Sequence, residues 1–193
     1  MKKIFLSINL IVYLILLFPY SVAMANEEAP YDIVNKTDIY EIRHYSDRLV
    51  VQTINRPSRS DDSSFRKLFN YISGANNTSE EIKMTVPVTQ EKKGSESFMQ
   101  FYLPSKYTKE TTPIPSNPNI EIALIKEGYF AVIKYSGRSS DKNFEKYSNI
   151  LKQKLLEDKI LIKGNAIRAT YNSPFTLPPF RRNEVMFIVD WNN

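Results

Sequence analysis

The sequence has no cysteine, one histidine (His44) and only five glycines in 193 residues. Without cysteine there are no disulfides and no thiolate metal sites. A single histidine excludes a multi-histidine metal centre within one chain. With glycine so scarce, no glycine-rich phosphate loop occurs. The G-x-S-x-G elbow of serine hydrolases is also missing. Charge of one sign is modest, with a formal net value of +5. That excess suits solubility and weak attraction to anions, and it argues against a nucleic-acid partner. The acid pairs Asp61, Asp62 and Glu80, Glu81 read as a helix start and a soluble loop rather than a general acid/base pair. No catalytic residues are expected.

What is present begins with a leader-like segment. Lys2 and Lys3 are basic, residues 4–18 are apolar apart from Ser7 and Asn9, and Pro19 breaks the run. Ala23, Met24 and Ala25 form a small-x-small cleavage pattern. The apolar run of about 15 residues is short of the roughly 20 that span a bilayer. The expectation is a signal peptide over 1–25, cleaved after Ala25, with no stable membrane insertion afterwards and a periplasmic or extracellular address. Asn35 and Asn76 begin glycosylation sequons, which matter only in a eukaryotic secretory pathway. The sequence leaves the oligomeric state open.

Residues 26–37 read as a flexible lead-in and 38–193 as one domain, with 42% of the chain hydrophobic and so able to form a core. The organising stretch is 65–88, FRKLFNYISGANNTSEEIKMTVPV. Phe65, Leu68, Phe69 and Ile72 recur at helical spacing. Asp61, Asp62, Ser63 and Ser64 offer N-cap oxygens, and Gly74 suits the helix end. Ile82, Met84, Val86 and Val88 then alternate with Glu81, Lys83, Thr85 and Pro87, as in a half-buried strand. Strands are also expected at 38–45, 48–54 and 98–103, with Tyr40, Ile42 and His44 on one face of the first. Residues 104–119, with four prolines, read as a connector.

The order then recurs. Strands are expected at 120–125 and 129–135, and a helix from Ser140 or Asp141 to about Asp158 with the stripe Phe144, Tyr147, Leu151 and Leu155. Strands at 166–171 and 184–191 follow. Glu41 and Ile42 align with Glu121 and Ile122, and Phe65 and Leu68 with Phe144 and Tyr147. The expected fold is α+β: a duplicated ββαββ unit, repeats 38–104 and 119–191. It would form a distorted eight-stranded antiparallel sheet or barrel with two helices packed on it.

At this level of detail the residues resemble a known family. YEIRHYSDRLVVQT (40–53), the 65–88 block, FMQFYLP (98–104) and YNSPFTLPPFRRNEV (171–185) are together similar to the SOUL haem-binding proteins, over essentially 31–191. The resemblance implies a distorted barrel of two repeats. It also implies noncovalent binding of haem or another tetrapyrrole, by a carrier or buffer rather than an enzyme. Effector-binding domains like the gyrase-inhibitory protein share the fold, so fold alone does not name a ligand. The alternatives are a periplasmic, hydrolase-like enzyme or a small-molecule effector-binding module.

His44 is a candidate axial ligand of haem iron, or else a hydrogen-bonded histidine at a strand end. Phe65, Phe69, Ile72 and Met84 are candidates to line an apolar cleft for a flat ligand, and equally suit core packing. Arg66 and Lys67 flank that stripe. Arg181 and Arg182 lie in the late proline-rich loop beside Phe175, Leu177 and Phe180. The resemblance implies that the first helix and this loop border the haem cleft. The planar arginine fork would suit its propionates.

Overall fold

The computed structural model describes residues 26–54 and 64–191. The expected signal peptide and the cap candidates Asp61, Asp62 and Ser63 lie outside these residues. The elements are β1 (Glu27–Glu28), β2 (Asp32–Lys36), β3 (Glu41–Tyr45), β4 (Arg48–Ile54), α1 (Ser64–Ile72), β5 (Thr85–Val86), β6 (Val88–Lys93) and β7 (Glu96–Tyr102). They continue with β8 (Glu121–Ile125), β9 (Gly128–Tyr135), α2 (Asp141–Glu157), β10 (Leu161–Ile162), β11 (Ile167–Thr170), a 3-10 turn (Pro178–Phe180) and β12 (Asn183–Asp190).

Strands β2-β3-β9-β12-β11-β6-β7-β4-β8 lie side by side in one sheet, and β10 joins β12 as its tenth member. Every pairing in this sheet is antiparallel. The sheet curls into a half-barrel, and the fold is α+β as the pattern predicts. Exchanging β3, β4, β6 and β7 for β8, β9, β11 and β12 maps the run from β3 to β8 onto its own reverse.

Both helices lie on one face of the sheet because both present an apolar arc at helical spacing. Ser140 caps α2 through its hydroxyl, which accepts from the Asn143 amide at 3.3 Å. Leu151 and Leu155 of α2 are buried against Ile42, Ala131, Val185 and Phe187, with Phe144 and Tyr147 packed alongside. α1 buries Leu68, Tyr71 and Ile72 against Val51, Phe101 and Ile120. Gly74 ends α1 at φ +104°, a conformation open to glycine at little cost.

Three expectations need correction. The lead-in is not loose: 32–36 pairs with β3 as an edge strand, and β1 pairs in parallel with β5. These, with β10, take the strand number beyond eight. The strand expected at 82–88 is broken. Only Thr85 and Val86 extend before Pro87, which has no amide to donate, and β6 begins after it at Val88. Finally, β3 is buried on both faces. Glu41, Arg43 and Tyr45, opposite Tyr40 and Ile42, are all buried and turn into the concave side of the half-barrel.

Candidate functional site

The predicted stripe of α1 is rotated. Leu68 and Ile72 are buried as expected, but the third inward position is Tyr71, whose hydroxyl donates to the Pro113 carbonyl at 2.8 Å. Burial of Tyr71 turns Phe65 and Phe69 outward, where they are 44% and 48% exposed. One turn apart, their rings stack at 6.1 Å and 12°, and Phe65 sets its edge against Phe101 at 5.2 Å. Met84 is half-buried at the margin of the cluster beneath the helix. Of the four apolar candidates, Ile72 and Met84 therefore serve packing, while Phe65 and Phe69 form an open aromatic surface.

The other flank of α1 borders a cleft of about 470 Å³ lined by Arg66, Lys67, Asn70, Tyr71 and Ile120. That size falls within the usual range for small-molecule sites. The first helix thus carries an exposed aromatic pair on one flank and, on the other, borders a cleft lined by Arg66 and Lys67.

The late loop stands apart, against the segment that leads into α2. The Gly137 amide donates to the Pro178 carbonyl at 2.8 Å. Phe180 is exposed, as are Phe175 and Leu177. Arg181 holds the loop together, donating from Nε to the Thr176 carbonyl at 2.7 Å and from Nη2 to that of Pro174. Arg182 already has carboxylates. It donates to both oxygens of Glu28 at 2.8 Å and to Glu184 Oε1 at 3.0 Å, and its guanidinium lies 3.7 Å over Tyr171.

His44 is half-buried on the sheet face that carries α2, its ring 4.9 Å from that of Tyr129. Five strands separate β3 from β4, the strand beneath α1, in the hydrogen-bonded order. Among the described residues no group of three His, Asp or Glu side chains is placed to hold a metal ion.

Sequence reasoning missed a charged network on the concave side. Glu184 Oε1 accepts from Arg43 and Arg182, and Oε2 accepts from Arg43 and from the Tyr171 hydroxyl, at 2.7–3.1 Å. The roughly four acceptor positions of a carboxylate are thereby filled. Burial by itself would lower the Arg43 pKa, but bonding and charge from Glu184 outweigh it and hold the guanidinium protonated. Burial pushes the Tyr45 hydroxyl up to about 12. Burial also raises Tyr171, and the charge of Glu184 adds to it. The available signal was the other half of the β3 alternation, Glu41, Arg43 and Tyr45, set against Glu184 on a late apolar strand.

These features define an α+β half-barrel with ligand-sized clefts on its outer face. Its fold is shared by the EcmrR C-terminal domain (TM-score 0.57, 11% identity, covering 84% of this chain and 99% of that one). A hydrolase from Listeria innocua also shares it (TM-score 0.55, 9% identity, covering 81% and 94%). In sequence, residues 26–188 match the SOUL heme-binding protein model. Heme-binding protein 2 of Mus musculus is 34% identical, over 86% of this chain and 85% of that protein. The human Heme-binding protein 2 is 33% identical over 83% of each. The chain belongs to the SOUL heme-binding protein family.

Proposed function

We propose that the protein binds haem or a related tetrapyrrole noncovalently at α1, as an exported carrier or buffer without catalytic activity. The observation that carries this reading is the stacked, exposed Phe65–Phe69 pair on α1, with Arg66 next to it in the chain, in a protein of this family. A tetrapyrrole needs a flat apolar surface for its ring and cations for its carboxylates. Phe65 and Phe69 offer the first, and Arg66 and Lys67 border the second. Ile72 and Met84 support the helix from below. Arg181 and Arg182 are held within the protein; Arg66 and Lys67 are assigned to the propionates for their place on the helix that carries the aromatic pair. Phe180 is left as part of a second apolar surface. The haem itself would supply iron and colour; this chain supplies the surface and the charge.

Glu184 and Glu41, the buried carboxylates described on the concave side, are poor candidates for a catalytic base, because Glu184 is bonded to Arg43, Arg182 and Tyr171 and Glu41 to Arg43 and Lys134. The mirrored strand order supports reading the two halves as repeats of one unit. The leader pattern of 1–25 supports export, and a mature N-terminus at Asn26 in protein from its native compartment would establish cleavage.

Titrating hemin into the purified protein tests the function. The expected result is a saturable absorbance change with one haem per chain, weakened when Arg66 and Lys67 are both replaced by Gln. Absence of saturable binding overturns the reading.

A further inference from the structure

We propose that the protein also holds a small carboxylate at Arg48, in a cavity beneath its N-terminal segment, where a guanidinium with an unpaired edge borders a small, partly apolar void. This site goes beyond the tetrapyrrole surface and is separate from it.

Arg48 opens β4. Its guanidinium lies over three rings, 3.9 Å from the centre of Tyr45, 4.9 Å from Phe130 and 5.2 Å from Tyr102. Its Nε and Nη2 are buried and have no hydrogen-bond partner among the described residues. Stacking satisfies the faces of the cation and leaves its in-plane N–H groups unused. Nε and Nη2 together are one edge of the fork, an edge that takes both oxygens of a carboxylate. The two other arginines of the concave side have such partners: Arg43 has Glu41 and Glu184, and Arg182 has Glu28 and Glu184. Arg48 alone of these three lacks an anion among the described residues. Buried donors without acceptors cost free energy, so the missing acceptor is assigned to a ligand.

A cavity of about 190 Å³ borders Arg48, with Ala29, Pro30, Leu49, Tyr102 and Leu103 among its walls. Two acids at its margin are committed elsewhere. Glu27 accepts from the Ser105 amide at 2.7 Å, and Asp47 accepts from the Glu127 amide at 2.7 Å and from Lys126 at 3.1 Å. A void of about 150 Å³ is enough for benzene. The cavity therefore suits a ring-sized or short aliphatic acid and is too small for a tetrapyrrole. Because the Nε–Nη2 edge is sealed, binding requires the guanidinium to turn that edge into the void.

Calorimetric titration of the purified protein with benzoate tests the site, with benzyl alcohol as the neutral counterpart. Benzoate should bind saturably at one per chain and at least about tenfold more tightly than benzyl alcohol, the gain expected of a charge-assisted pair. Arg48→Met, which keeps an apolar stem between the rings, should lose that advantage. Ala29→Phe, which fills the cavity without altering Arg48, should abolish benzoate binding and leave hemin binding unchanged. If Arg48→Met does not fold, Ala29→Phe and the alcohol comparison carry the test. The proposal is overturned by absence of saturable benzoate binding, by equal affinity for the alcohol, by benzoate affinity unchanged in either folded variant, or by displacement of hemin by benzoate.

Discussion

Arg43 on β3 and Glu184 on β12 meet across β9, with Arg43 Nη1 3.0 Å from Glu184 Oε2 and neither side chain exposed to solvent. The pair ties β3, next to the edge strand β2, to β12 two strands further in. Through Arg182 and Glu28 it also reaches the N-terminal segment.

Removing the anion takes one of two carboxylates from each of Arg43 and Arg182, which keep Glu41 and Glu28. Glu184→Gln should therefore lower stability by about 1–3 kcal/mol, read from urea unfolding. Combining it with Arg43→Met should cost less than the two single changes added together, because each removes what the other needs. Strict additivity would show that the pair is not coupled.

Acid should weaken the fold through Glu41. Burial favours its neutral form, but hydrogen bonds from Arg43 and Lys134 outweigh burial and hold the carboxyl below the usual 4.5. A carboxyl depressed in the folded state stabilises above its unfolded pKa, and the benefit is lost as pH falls through the folded value. Unfolding midpoints should accordingly decline below pH 4.5. Lys134→Met should lower the midpoint at pH 7 and make that decline shallower. An unchanged pH profile would remove Glu41 as the cause.

On α1, buried and exposed positions should separate stability from binding. Leu68→Ala leaves a void in a closed cluster and should cost about 2–5 kcal/mol. Phe65→Ala and Phe69→Ala, at the surface, should cost about 1 kcal/mol or less each, yet the double change should weaken hemin binding. Native hemin affinity in the double variant would remove the aromatic pair from the site.

His44→Ala should leave the Soret spectrum of the hemin complex unaltered, since His44 packs on Tyr129 on the half of the sheet that carries α2. A shifted Soret band would instead identify His44 as the axial ligand and move the haem away from α1.

The helices and most strands were legible because each is a local pattern. Phe144, Tyr147, Leu151 and Leu155 repeat at helical spacing, and Ser140 stands where a cap is needed. The rotation of α1 was not legible. Phe65 and Tyr71 are both aromatic, and periodicity cannot say which one turns inward; the Pro113 carbonyl, which accepts from the Tyr71 hydroxyl, lets Tyr71 be buried. The broken strand at 82–88 was within reach, since Pro87 sits in mid-ladder.

Read alone, the amino-acid pattern establishes an α+β chain free of cysteine chemistry and of any multi-histidine centre. Those properties follow from composition and from spacings within a single element. Only the tertiary structure decided which charges go inside. Arg43, Glu184 and Arg182 find one another across strands far apart in the chain, while Arg48 is left among rings with no anion from the described residues. Whether a buried cation is neutralised depends on what lies within about 4 Å of it, a distance that only the folded chain defines.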